Sequence, residues 1–366
     1  MIFVTDMKRS LAALLICFAG LLAGCVGPVP PASTPAAMQW PAPPLPARVL
    51  WQKEVHNQHD WGIAKGFWRR LADLVTGAEE PQFVRPYGVL SDGRGRLAVA
   101  DTGAGVVHIM DLERGEHLLL GTAGGVKLRA PIGLASDDRG TLYVTDSALG
   151  KVFRSDPPWQ SLVPFATPRL ERPTGIAYHP RNGLLYIADT TSHQVVAIDR
   201  DGQERQRFGF RGTTPGQFNY PTDLWIDHVG QIYITDALNA RIQVLTPEGQ
   251  LVTQFGESGD TAGFLAKPKG VAVDSDGQIY VVDALLDAVQ VFAPSGELLL
   301  VIGGHGQGPG EFWLPSGIHI DANDTIYVAD AYNRRIQVFR YLKQAAEPGS
   351  SRYGATGRGL VPKEKE

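Results

Sequence analysis

Six times between residues 86 and 330 the chain returns to one pattern. Each copy has a leading proline, an apolar run, a turn rich in Gly, Asp or Asn, a second apolar run and a closing aspartate. The prolines are Pro86, Pro131, Pro173, Pro221, Pro268 and Pro315, and the aspartates are Asp101, Asp146, Asp189, Asp236, Asp283 and Asp330. A recurrence of this kind means one structural module used repeatedly. In the fifth copy GVAVD reads as a strand, DSDGQ as a turn, IYVVD as a second strand and ALLDA as a loop. AVQVF, PSGE and LLLVIG then supply a third strand, a turn and a fourth strand. A four-stranded antiparallel meander has two apolar faces and cannot bury both alone. Copies must therefore stack, and radial stacking closes a propeller.

Composition agrees with a turn-rich all-β chain. Gly (42) and Pro (26) among 366 residues exceed the usual shares of about 7% and 5%. Forty-three per cent hydrophobic residues suffice for a core. The net charge of −4 argues against a nucleic-acid partner, because such binders carry a basic balance.

The first residues read as an address. Lys8 and Arg9 precede an apolar run, Leu11 to Gly24, that is too short for the roughly 20 residues a membrane span needs. It suits a signal-peptide core over residues 1–24, and MKRS at Met7 makes a cleaner start than Met1. Leu22-Ala23-Gly24-Cys25 resembles the bacterial lipobox, which implies lipidation at Cys25 and an anchor in the cell envelope. Val26 after the Cys implies the outer membrane, facing the periplasm. The other cysteine, Cys17, falls in the removed segment, so the mature chain is expected to have no disulfide and no Cys-ligated metal. Residues 25–47 read as a stiff Pro-rich tether, residues 48–342 as the propeller, and residues 343–366 as a disordered tail.

The pattern P-x-G-[IV]-x-[VI]-D, G-x-[IL]-Y-[VI]-x-D and N-x-R-[IV]-Q-V-[FL] resembles the NHL repeat. YITDALNARIQVL and YVADAYNRRIQVF are its strongest copies, whereas LAVADTGAGVVHI in the first copy lacks the Tyr, Asn and Arg. The resemblance implies a six-bladed β-propeller of four-stranded antiparallel blades. The last copy ends at its third strand, RRIQVFRYL, so ARVLWQKEV at residues 47–55 is expected to close the ring as the missing strand. Ile63, Phe67, Leu71 and Leu74 are spaced as one face of a short helix between this clasp and the first blade.

In such a meander the D-x-x-N-x-R loops, the blade-to-blade links and the start of each inner strand share one face, the loop face. The tight turns share the other. An aspartate in every copy is expected to cap backbone N–H groups. Arg241 and Arg335 are expected to bond neighbouring loop groups, and Trp225 and His319 to pack. Departures from the repeat mark the ligand-face candidates. They are Tyr87, Lys269 and Asp223 at the strand starts; His193, Asp287, Tyr332 and Arg334 in second loops; and Arg211, His305 and Trp313 in links, with Arg241 and Arg335 on the same face. This mixture suits a protein or glycan partner, with no cofactor and a monomeric, non-enzymatic scaffold. Two enzyme alternatives follow from resemblance. DTTSHQVV is similar to a segment of the zinc-dependent amidating lyase, which would make His193 a ligand; a lactonase would need a Ca²⁺ held by inner-strand Glu, Asn and Asp.

Overall fold

The computed structural model describes residues 38–64 and 80–343. The signal peptide, Cys25, Phe67, Leu71, Leu74 and the tail beyond Lys343 lie outside the described residues. Six antiparallel sheets follow one another in chain order, with inner strands Pro86–Ser91, Pro131–Ser136, Pro173–His179, Pro221–Ile226, Pro268–Val273 and Ile318–Ile320. Each inner strand contacts the next, and the sixth contacts the first, so the ring is closed around an axis.

Strand alternation explains why the blades need each other. In blade 5, Tyr280 and Val282 join the apolar cluster shared with blade 6, while Ile279 and Val281 join the cluster shared with blade 4. Six such clusters fill the six blade junctions, so the core lies between modules rather than within one.

Closure is made by the N-terminal strand, as expected. Val49–Val55 pairs antiparallel with Arg335–Tyr341, from Val49 opposite Tyr341 to Val55 opposite Ile336, with the register shifted by one residue between Trp51 and Lys53. Val49 and Val55 are buried in the junctions on either side of blade 6, each contributing roughly 1.5–3 kcal/mol. The sheet reaches back further than the expected boundary at residue 48, because Gln39–Trp40 adds a fifth strand and Trp40 packs edge-on against Phe339 at 5.6 Å. A four-residue helix, Gln58–Trp61, follows the clasp under an Asn57 cap. Ile63 is buried just beyond it, between blades 6 and 1. The link from blade 1 to blade 2 folds into a small hairpin, Thr122–Ala123 with Val126–Lys127, which the repeat pattern did not announce.

Around the axis the glycines of P-x-G form a collar. A Cβ on Gly88 would sit 2.0 Å from the Ile132 carbonyl oxygen, and one on Gly317 would sit 2.3 Å from that of Tyr87. Inner strands meet backbone to backbone there, so five copies keep Gly and only Asp223 departs.

Candidate functional site

The closing aspartates organise the loop face, five of them in one of two ways, while Asp189 accepts the link N–H groups of Glu171 and Arg172 and the Ser192 hydroxyl. Asp101 accepts from the N–H groups of Val84 and Arg85 in the preceding link and of Gly103 and Ala104 in its own loop, at 2.6–3.0 Å. Burial by itself would raise its carboxyl. The nearby His108 ring and those N–H groups outweigh burial and hold it at about 2. Asp146 and Asp283 are arranged similarly. Asp330 instead accepts one link N–H, from Trp313, and the side chains of Asn333, Arg335 and Gln337. Arg335 goes on to donate to the carbonyls of Gln307, Gly308 and Glu311 and to Glu54 of the clasp. Asp236 and Arg241 repeat this in blade 4, where Arg241 holds Thr213, Thr214 and Gln217. Arg241 and Arg335 are therefore buried and occupied below the surface.

His193 is buried, adopts a left-handed backbone (φ 56°) and accepts through Nδ1 from the Tyr220 N–H at 3.1 Å. Asp287 occupies the same loop position in blade 5 and accepts from Leu314 N–H at 2.6 Å and from His305 at 2.8 Å. Both are loop-to-link ties. Among the described residues no group of three His, Cys, Asp or Glu side chains is placed to hold a metal ion.

What the loop face does expose is apolar. Phe210, Leu238, Phe264, Leu285, Trp313, Tyr332 and Val84 are all solvent-exposed. They occupy second loops or links of blades 4, 5 and 6 and the entry to blade 1. The equivalent second-loop positions in blades 1 to 3 are Gly103, Ala148 and Thr191. At one end of the arc Trp313 lies 5.6 Å from Tyr332 and 6.3 Å from His305, and the Arg85 guanidinium sits 5.5 Å from the Tyr332 ring. Arg334 and Arg211 are exposed on this face too, Arg211 beside the outlying Phe210. Sequence reading found Trp313, Tyr332 and His305 but passed over Leu238, Leu285 and Arg85, because Leu and Arg in loops carry no chemical signature.

Tyr87, Asp223 and Lys269 meet at the axis and line a cavity of about 50 Å³ that passes through the glycine collar to Trp225 and His319. Burial pushes the Asp223 carboxyl up to about 7 despite the N–H groups of Val271 and Leu224. Lys269 is shifted down, first by burial and then by the neighbouring charges of Lys267 and Arg172. The Tyr87 phenol is shifted up by burial and by Asp223. Beneath them Trp225 and His319 pack edge to face at 5.5 Å, and His319 donates to the Ser91 carbonyl at 3.1 Å, its basicity lowered to about 4 chiefly by burial.

Larger cavities open on the tight-turn face, about 510 Å³ beside Trp159 and about 410 Å³ beside Trp225. Their carboxylates have structural partners. Asp137, Asp227, Asp274 and Asp321 accept turn N–H groups and the hydroxyls of Tyr143, Tyr233, Tyr280 and Tyr327, which accounts for the tyrosine of the repeat.

The sequence matches the NHL repeat family over residues 170–198 and a six-bladed beta-propeller family over residues 265–343. Fold and repeats together define the class: this chain is a six-bladed β-propeller carrying NHL repeats. Among solved structures it is similar to virginiamycin B lyase from Staphylococcus aureus, with 19% identity over 71% of this chain and 96% of that one and a TM-score of 0.52. It is also similar to a gluconolactonase from Xanthomonas campestris (17%, 71% and 87%, 0.55). An auxiliary nutrient binding protein from Bacteroides thetaiotaomicron is similar in the same way (15%, 71% and 69%, 0.56). At such identities the likeness is one of fold. A search of curated proteins finds no match.

Proposed function

We propose that this propeller is a binding scaffold, anchored through a lipid on Cys25 in the bacterial envelope, that presents its loop face to a partner. One observation carries the reading: the exposed apolar arc runs along the loop face of blades 4 to 6, where the scaffold has no use for it. The chain holds these loops rigidly through Asp236, Asp283 and Asp330, so the arc is pre-organised and loses little entropy on binding. Aliphatic Leu238 and Leu285 beside the aromatic pair favour a protein partner, since apolar patches mark such interfaces. A glycan is the second reading, supported by the exposed Trp313 and Tyr332 rings. A lyase or lactonase activity, as the similar structures bear in their names, draws support from Asp223, a carboxyl lifted towards neutrality at the axis.

Crosslinking in intact envelopes tests the scaffold reading. The double variant Leu285→Glu with Trp313→Ala is expected to lose at least about tenfold of the captured partner while keeping its melting temperature. Equal capture by variant and wild type would show that the arc is not the docking face. Stoichiometric Zn or Ca in the purified protein would replace the scaffold with an enzyme. Cys25→Ala is expected to release the protein from the membrane fraction, and retention there would remove the anchor.

A further inference from the structure

The cations of the loop face are arranged differently from its apolar arc. Arg85, Arg172 and Lys267 each stand immediately before a leading proline, Arg129 stands two residues before one, and Lys269 stands immediately after. The backbone at these link positions is tied down by Asp101, Asp146, Asp189 and Asp283; Arg172 and Lys267 stand close enough to the axial Lys269 for their charges to act on it, whereas Arg85 reaches the Tyr332 ring. No ion pair engages any of the five among the described residues. Asp223 lines the same cavity as Lys269, and Asp189 and Asp283 nearby accept from N–H and hydroxyl donors beneath them rather than from these cations. A chain of net charge −4 thus gathers cations without ion pairs around the axial cavity that Lys269 lines, where the low-dielectric wall focuses their field.

Lys269 is the most informative of the group. It lines the cavity with Tyr87 and Asp223, is partly buried, and its ammonium makes no hydrogen bond among the described residues. A partly buried cation without a direct partner costs stability, and the like charges of Lys267 and Arg172 outweigh the pull of Asp283 on it. Nothing in the packing of the blade requires a lysine here, because the equivalent residues include Ile132, Thr174 and Ser316. Thr222, at the same position in blade 4, adds a buried hydroxyl without a partner.

We propose that the axial mouth is a binding subsite for a single oxyanion, a carboxylate or phosphate group at the tip of a ligand, received by Lys269 and Arg172 beside the Tyr87 hydroxyl. The cavity of about 50 Å³ admits such a group and not a whole sugar ring. Asp223 forms one wall, turned to the Val271 N–H at 3.2 Å. Because burial lifts its carboxyl to about 7, it is largely uncharged in mildly acidic solution and adds little repulsion there. The subsite lies on the axis, apart from the apolar arc, so its existence is independent of the partner proposed for that arc.

Calorimetric titration of the purified protein at pH about 6 tests this. The probes are inorganic phosphate and glucuronate, with glucose as the uncharged control, at constant ionic strength. Saturable binding of phosphate, glucuronate or both, and none of glucose, is expected, with the arm that binds telling a phosphoryl from a carboxylate ligand. Lys269→Met and Arg172→Gln should each weaken it at least about tenfold, while Arg139→Gln on the opposite face should bind as wild type. Lys269→Met should also melt higher than wild type, since it removes an unpaired charge, so lost binding is not mistaken for lost folding. Absence of saturable binding to both anions, or unchanged affinity in both axial variants, would overturn the proposal.

Discussion

In blade 6 the aspartate that ends the second strand gathers side chains; in blade 1 the aspartate at the same place gathers main chain. Asp330 holds Asn333, Arg335 and Gln337, and Arg335 extends the grip to three carbonyls of the link Gln307 to Glu311. Blade 1 has Ala104, Val106 and His108 at those positions; of these only the His108 ring approaches Asp101, at 3.6 Å, and the four N–H donors to Asp101 come from the loop and link themselves. The difference follows the links. Long connections such as residues 304–314 have carbonyls that no sheet satisfies, and the Asn, Arg and Gln of the repeat supply their donors. Asp101 meets only the short entry segment at Val84 and Arg85, and the link after blade 1, folded into its own hairpin, is held by Asp146 through main-chain N–H groups alone. In blades 4 and 6 the Asn, Arg and Gln of the NHL signature thus hold the long preceding link, blade 5 holds its own through Gln290 alone of the three, and the apolar arc lies over these three blades.

The comparison can be broken most sharply at Arg335. Arg335→Ala leaves buried Asp330 without its counter-charge and the Gln307 and Gly308 carbonyls without their donor, so a loss of about 4 kcal/mol in a denaturant melt is expected. Gln290 in blade 5 holds only Gly263 N–H and the Phe264 carbonyl, and Gln290→Ala should cost about 1 kcal/mol. Equal losses at the two sites would refute the link-holding account.

Asp101→Asn probes the other arrangement and should cost about 2 kcal/mol at neutral pH, because the shift from 3.8 to about 2 corresponds to that amount. The sign is determined by burial and partners acting on the folded state. A carboxyl held below its unfolded value binds fewer protons when folded, so its contribution is complete above about pH 4 and disappears as pH falls through about 2. Melts of wild type and variant should converge at that acidic end; a constant gap would mean that the carboxylate charge is not what blade 1 uses.

Much of this architecture was legible beforehand, and for a physical reason. Each module is short, its alternation of apolar residues is local, and six copies repeat the signal, so blade number, strand limits and the capping aspartates could be read from single segments. Pairing of Val49–Val55 with the last strand followed from counting, since the sixth copy lacked an outer strand. The placement of Gln39–Trp40 did not follow, because two residues between prolines carry no strand pattern and gain their pairing only from the neighbouring edge.

Site residues divided along the same line. Arg241 and Arg335 belong to a local motif, and their role as loop ties was foreseeable. His193 and Asp287 looked like departures from the repeat, and only the left-handed loop geometry showed each accepting the N–H of the next link. Arg85, Arg129, Arg172, Lys267 and Lys269 are scattered over some 180 residues of sequence and mean nothing singly. Sequence alone determined the modules and that they must close, because each blade's apolar faces are written in its own strands. Only the closed ring decided which distant side chains share the axis and which face is left apolar, because those are properties of neighbours that no single module contains.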